Sequence, residues 1–223
     1  MGRREPSRTA IAALITSEPC HAWRIIAWPI SIAWAMALMI GFALLMRYET
    51  TPGPVGQAPV SWPTDSALGR VEDAPNVVVA VHPRCPCTRA SLAALTGLLE
   101  RSASRASVRL LVFRPAASGV DWAGSPPPAV VPRPGVSVVD DPGGVEAARF
   151  GLATSGATIA FDAGGRKRFV GGLTAMRGRP ELSGGGRALL AVLGVGGPGV
   201  GSAEVYGCPL GTNSGAKASG GRR

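Results

Sequence analysis

Two thiols stand one residue apart in His82-Pro83-Arg84-Cys85-Pro86-Cys87-Thr88-Arg89. A single buried cysteine is usually a small apolar filler. Here the pair flanks a proline, follows the apolar β-branched run of residues 77–81, and opens a helical pattern at Leu92, Leu95, Leu98 and Leu99. A strand that runs into cysteines at a helix N-terminus is a layout for thiol–disulfide chemistry. The free N–H groups and positive dipole end of the helix favour thiolate over thiol, and the thiolate is the attacking species. Arg84 and Arg89 add positive charge on either side, and Pro86 suits the first turn, where its missing N–H costs nothing.

The geometry of a Cys85–Cys87 bond is demanding. Residues two apart on a helix do not face each other, so Cys85 must sit at or before the N-cap. The small ring would be strained, and strain makes a disulfide more oxidising. Cys208, in Gly207-Cys208-Pro209, offers a second partner through the glycine-rich stretch before it. Sequence does not choose between these connectivities. His82, three residues before Cys85, either ends the strand and tunes the thiolate or joins Cys85, Cys87 and Cys208 around a soft cation such as Cu(I).

The elements that must position these groups follow from the patterning. Asn76–Val81 reads as a fully buried strand and residues 88–101 as a helix. Residues 108–113 form a second strand, parallel to the first through a right-handed crossover. Residues 114–135 are proline-rich, with Trp122 as an anchor to the core. Residues 136–139 form a short strand, and a short helix lies within 140–150, with acidic residues at its start. Residues 157–161 and 167–170 form a hairpin about Asp162-Ala163-Gly164-Gly165, and residues 186–193 a last helix. Gly184-Gly185-Gly186 lacks the Lys-Ser/Thr of a phosphate loop.

The chain has 223 residues, a net charge of +9 and 46% hydrophobic residues. Its basic residues are scattered rather than clustered among aromatics, which argues against a nucleic-acid face. Residues 25–46 contain no charge, and about 20 apolar residues span a bilayer as a helix. Arg3, Arg4, Arg8 and Arg24 precede this run, while Arg47 behind it is offset by Glu49. The bias predicts a single-pass anchor with a cytoplasmic N-terminus. The apolar run is longer than a signal peptide's and lacks a small-x-small site, so an uncleaved signal anchor is expected. In a bacterium this is the inner membrane, with everything beyond it in the periplasm, where disulfides persist. The expected organisation is a cytoplasmic segment 1–24 (with a possible amphipathic helix at 9–16, and Cys20-His21 as incidental), a span 25–46, a Pro/Gly-rich tether 47–75, a folded domain 76–194, and a Gly-rich linker and tail 195–223 containing Cys208.

The order β-α-β, irregular segment, β-α, hairpin, α resembles a membrane-tethered thioredoxin-like fold. HPRCPCTRASL, FGLATSG and Val205-Tyr206-Gly207-Cys208-Pro209-Leu210 together resemble the RedB-type group of membrane-anchored thioredoxin-like proteins, over about residues 76–210. The resemblance implies an α/β fold, with a central mixed sheet flanked by helices behind one transmembrane helix. It implies a thiol–disulfide oxidoreductase acting on a protein or small-molecule thiol or disulfide, with no resident metal or cofactor and no nucleic-acid partner. Cys85 is the expected nucleophile and Cys87 or Cys208 the resolving thiol. His82 and Arg84 tune the site, Pro86 starts the helix, and Ser155 and Gly156 border it. Two features depart from the family. The spacing is Cys-x-Cys rather than Cys-x-x-Cys, and Gly156 falls where the family carries a cis-proline facing the cysteines. The alternative is a non-catalytic copper-handling module using the same cysteines.

Overall fold

The computed structural model describes residues 21–102, 105–115, 134–195 and 201–211, in two compact units, Met1–Tyr48 and Glu49–Arg223. The readings on residues 9–16, Cys20 and Trp122 lie outside the described residues. Helix α1 spans His21–Thr50, and Ala27–Thr50 within it has a mean hydropathy of 2.0. At 1.5 Å per residue it exceeds the ~30 Å of a hydrocarbon core. Trp28, Trp34, Met39 and Phe42 are all exposed. Length and composition are those of a membrane anchor or a signal sequence.

The second unit is built on a five-stranded mixed sheet of order β3-β2-β1-β4-β5. The central strand β1, Asn76–Val81, is buried along its whole length. It pairs in parallel with β2, Ser107–Arg114, and antiparallel with β4, Thr158–Phe161. Outside these lie β3, Val136–Pro142, parallel to β2, and β5, Lys167–Gly171, antiparallel to β4. This mixed sheet flanked by helices is the architecture that the resemblance implied.

The continuous apolar run of β1 is explained by helices on both faces. Alternate side chains leave a strand on opposite sides. Val77, Val79 and Val81 pack with Leu92, Leu95 and Leu98 of helix α2, Pro86–Arg101, and with Ala188 and Leu189 of helix α4, Gly184–Val192. Val78 and Ala80 face the other way, towards Phe113, Phe150, Ile159 and Phe161. Trp62 closes this second cluster edge-on, its ring 4.9 Å from Phe150 and 5.2 Å from Phe161. Truncating Leu95 or Leu98, each almost wholly inaccessible, to alanine would cost about 2–5 kcal/mol.

Element ends differ from the sequence reading for local reasons. Helix α2 starts at Pro86 rather than Thr88, because proline is already set for the first helical position and Cys85 serves as N-cap. β3 runs on to Pro142, since Asp141 is spent differently from the expected helix start. Its buried carboxylate accepts from the N–H groups of Glu146 (2.9 Å) and Ala147 (3.0 Å), which caps the short helix α3, Val145–Arg149. Helix α4 begins two residues earlier than expected, capped by Ser183 Oγ, which accepts from Gly185 N–H at 3.0 Å. The glycines there serve close packing: a Cβ on Gly185 would run into the Gly172 carbonyl, and one on Gly186 would meet Leu182 at 2.8 Å.

The stretch expected as a tether is extended but not detached. Gly53 N–H donates to Val205 O (2.7 Å), Lys167 N–H to Val60 O (2.9 Å) and Trp62 N–H to Gly165 O (2.8 Å). The stretch expected as linker and tail is likewise held where it is described. Val170 N–H donates to Gly201 O and Ala203 N–H to Val170 O, both at 3.0 Å, so residues 201–203 continue the sheet beside β5. Val205 and Leu210 are buried in the second core cluster.

Candidate functional site

β1 ends at Val81, and a tight turn carries the chain into α2. Cys85 N–H donates to His82 O at 3.0 Å and Thr88 N–H to Cys85 O at 3.0 Å. Three hydroxyl and amide contacts lock the turn. His82 N–H donates to Ser155 Oγ (3.0 Å), and Thr88 Oγ1 donates to His82 O (2.8 Å). With its one proton so used, Thr88 Oγ1 accepts from Ser155 Oγ across 2.7 Å. Ser155, expected only to border the site, therefore fastens the loop before β4 to the cysteine turn.

The cysteine pair itself is buried, Cys85 to 3% exposure. Both of the other thiols hydrogen-bond to Cys85. Cys208 Sγ lies 2.9 Å from Cys85 Sγ, across 123 residues of sequence, a gap that a disulfide bond would close to about 2.05 Å. Of the two routes open in the sequence, the structure brings Cys208 to Cys85. The described cysteines are free thiols here.

Their electrostatics divide the labour. Burial raises the Cys85 pKa, but hydrogen bonds from the Cys208 thiol and from the backbone N–H groups of Cys208, Cys87 and Thr88 outweigh it. The net direction is down. Cys208 moves the other way, to about 12, through burial first and then its hydrogen bond to Cys85. Cys87 is raised by burial and by the neighbouring Cys85 charge. Cys85 thus gives up its proton more readily than a free thiol, and Cys208 holds its own more tightly.

The cation near these sulfurs is Arg177, which the sequence reading missed. Its charge lowers both Cys87 and Cys208 against their larger upward causes. Its guanidinium donates to Gly207 O (2.6 Å) and Thr51 O (3.2 Å), clasping the segments on either side. No motif surrounds Met176-Arg177-Gly178, so only the fold reveals it. Arg84, by contrast, is exposed, and its charge bears on His82. Burial first, and Arg84 third, depress the imidazole below its usual value. The ring stacks on Phe113 at 5.6 Å between centroids, and Nδ1 accepts from Arg84 N–H at 3.2 Å. Pro86 is exposed at the first position of α2.

Gly156, expected where the family carries proline, has φ +87°, a conformation closed to proline, whose ring fixes φ near −65°. A Cβ there would meet Ser91 Oγ at 2.5 Å. The departure from the family pattern is therefore built into the backbone. Among the described residues, no group of three or more His, Cys, Asp or Glu side chains gathers to hold a metal. The alternative set of His82, Cys85, Cys87 and Cys208 is not such a group.

No family model and no curated protein matches the chain. Among solved structures, a hypothetical protein from Sinorhizobium meliloti 1021 is 16% identical, with TM-score 0.48, over 75% of this chain and 99% of that one. An uncharacterized conserved protein from Geobacillus kaustophilus is 16% identical, with TM-score 0.47, over 73% and 90%. A secreted Mycobacterium tuberculosis disulfide oxidoreductase homologous to E. coli DsbE is 15% identical, with TM-score 0.35, over 55% and 82%. Likenesses this faint carry nothing about the chemistry, which is read from the site itself.

Proposed function

We propose that the chain is a membrane-anchored, RedB-type thiol–disulfide oxidoreductase, with its folded domain on the periplasmic side, in which Cys85 attacks and Cys208 resolves. The observation that carries this reading is the 2.9 Å approach of the two sulfurs with opposed proton affinities. In the first step the Cys85 thiolate attacks one sulfur of a substrate disulfide. A Cys85–substrate bond forms, the substrate S–S bond breaks, and the released thiolate takes a proton. In the second step Cys208 loses its proton and attacks Cys85 Sγ, expelling the second substrate thiol. The substrate is reduced to a dithiol and the protein is left with a Cys85–Cys208 disulfide. A dithiol donor returns it to the starting form by the reverse exchange.

Of Cys87 and Cys208, the second is assigned as the resolving thiol because its sulfur lies 2.9 Å from Cys85 and its segment is paired with the loop before β4. Cys87 acts through its N–H, which helps hold the Cys85 charge. A low thiolate pKa alone does not make an exchange enzyme, since attack also needs access. The test is trapping. Full-length chain in detergent, carrying Cys208→Ser, should accumulate a mixed disulfide with a disulfide substrate, and Cys85→Ser should form none. Equal trapping through Cys87 when Cys85 is replaced would overturn the assignment.

A further inference from the structure

The segment that delivers Cys208 is paired as a strand would be. Leu210 N–H donates to Ala153 O at 2.9 Å and Ser155 N–H to Cys208 O at 2.9 Å. Thr154 and Pro209 are antiparallel bridge partners between them. Cys208 also turns its own N–H and thiol to the Cys85 sulfur. Backbone pairing of this kind reads no side chain, so any extended peptide can make it. The residue before the cysteine is the exception. A Cβ on Gly207 would run into the Ser155 carbonyl and would meet Thr154 Cγ2 at 3.1 Å.

We infer that residues 207–210 are a built-in occupant of the edge at residues 153–155, where an extended polypeptide carrying a disulfide-bonded Gly-Cys pair docks in their place. This rests on the exchange reading above and names its substrate class and its gate. The incoming cysteine takes the position of Cys208, and its N–H replaces the one the segment withdraws from Cys85. Once the mixed disulfide has formed, return of the segment brings Cys208 back to Cys85 and expels the substrate. Docking and resolution are thus alternatives at one edge. Val205 and Leu210, buried 5% and 3% exposed, set how often the edge is vacant.

The chemical step is the one already balanced, with an aromatic thiolate as first leaving group in the assay. The probe is a synthetic peptide, Val-Tyr-Gly-Cys-Pro-Leu, with its cysteine disulfide-bonded to 2-nitro-5-thiobenzoate. Attack on the peptide sulfur forms the Cys85–peptide disulfide and releases the coloured thiolate. A second peptide carries alanine before the cysteine. The free symmetrical aromatic disulfide, which has no backbone to pair, is the control. Apparent reactivity scales with the vacant fraction of the edge. Full-length Leu210→Ala should therefore react with the glycine peptide at least about tenfold faster than wild type does, and this gain should exceed its gain with the aromatic disulfide by a similar factor. The glycine peptide should outpace the alanine peptide by at least about tenfold, as the clash implies. Val205→Ala reads the same edge if Leu210→Ala does not fold. Equal gains for peptide and aromatic disulfide, equal rates for the two peptides, or no gain at all would overturn docking at this edge while leaving the exchange reading intact. Thiolate release no faster than from Cys85→Ser, with every reagent, would remove the exchange reading itself.

Discussion

Replacing Cys208 with alanine isolates the contact on which the site's electrostatics turn. The substitution removes the thiol 2.9 Å from Cys85 Sγ, the donor available to ionised Cys85, and leaves the Cys208 backbone N–H in place. A hydrogen bond to a charged group contributes about 1.5–3 kcal/mol, and about 1.4 kcal/mol is tenfold in an equilibrium. Because Cys85 is buried, little solvent screening discounts this. The acid dissociation constant of Cys85 should fall about 10- to 100-fold. The sign is definite. Losing a donor to the thiolate raises the pKa, so the rise of reactivity with pH moves to higher pH. The assay is iodoacetamide modification of Cys85 in the full-length chain with Cys87→Ser, followed by mass spectrometry from about pH 5 to about pH 10, a window in which Cys208 keeps its proton. The midpoint is the readout, since the smaller side chain also changes access and hence the plateau. Cys208→Ser, which keeps an O–H donor, should restore most of the shift. Midpoints that coincide in wild type and Cys208→Ala would refute the claim that this contact holds the charge.

Three further outcomes follow from the same geometry. Gly207→Ala should push residues 207–210 off the Ser155 carbonyl, so that air oxidation no longer yields a Cys85–Cys208 bond on a non-reducing gel of digested protein; undiminished bonding would contradict the packing. Ser155→Ala removes the hydroxyl that accepts from His82 N–H and donates to Thr88 Oγ1; at about 0.5–1.5 kcal/mol per hydrogen bond lost it should lower Tm measurably by scanning calorimetry, and an unchanged Tm would count against the locked turn. The charge bias around residues 25–46 predicts that a reporter active only in the periplasm is active when fused after residue 211, and activity of a cytoplasmic reporter alone would sink the compartment assignment.

The parts of this fold that were legible in the sequence are those where local chemistry and tertiary demand agree. Asn76–Val81 reads as a buried strand because it is buried on both faces, and Pro86 marks the start of a helix because its ring is set for one. The hairpin of β4 and β5 follows from its turn residues. What was illegible depends on backbone contacts distant in sequence. Gly53 and Gly56 read as spacer residues, yet they let the chain lie against Thr154 and Gly151 with no room for a Cβ. The approach of Cys208 to Cys85 depends on the pairing of residues 208–210 with 153–155, which a cysteine count cannot reveal. Arg177 acts through carbonyls of Gly207 and Thr51, groups that every residue carries, so no side-chain pattern announces it. Arg84 and Arg89 gave the opposite lesson. They are near the cysteines in sequence, but both side chains are exposed, and the charge that bears on Cys87 and Cys208 comes from another loop.

The disulfide map of the oxidised full-length chain tests the central claim most directly. Trypsin releases residues 85–89 as one fragment and residues 188–217 as another, the first holding both Cys85 and Cys87. The account predicts that mild oxidation joins these two fragments, that fragmentation between Cys85 and Pro86 places the bond on Cys85, and that Cys87→Ser leaves it intact. A bond within residues 85–89, or a crosslink to 188–217 that disappears with Cys87→Ser, would contradict it.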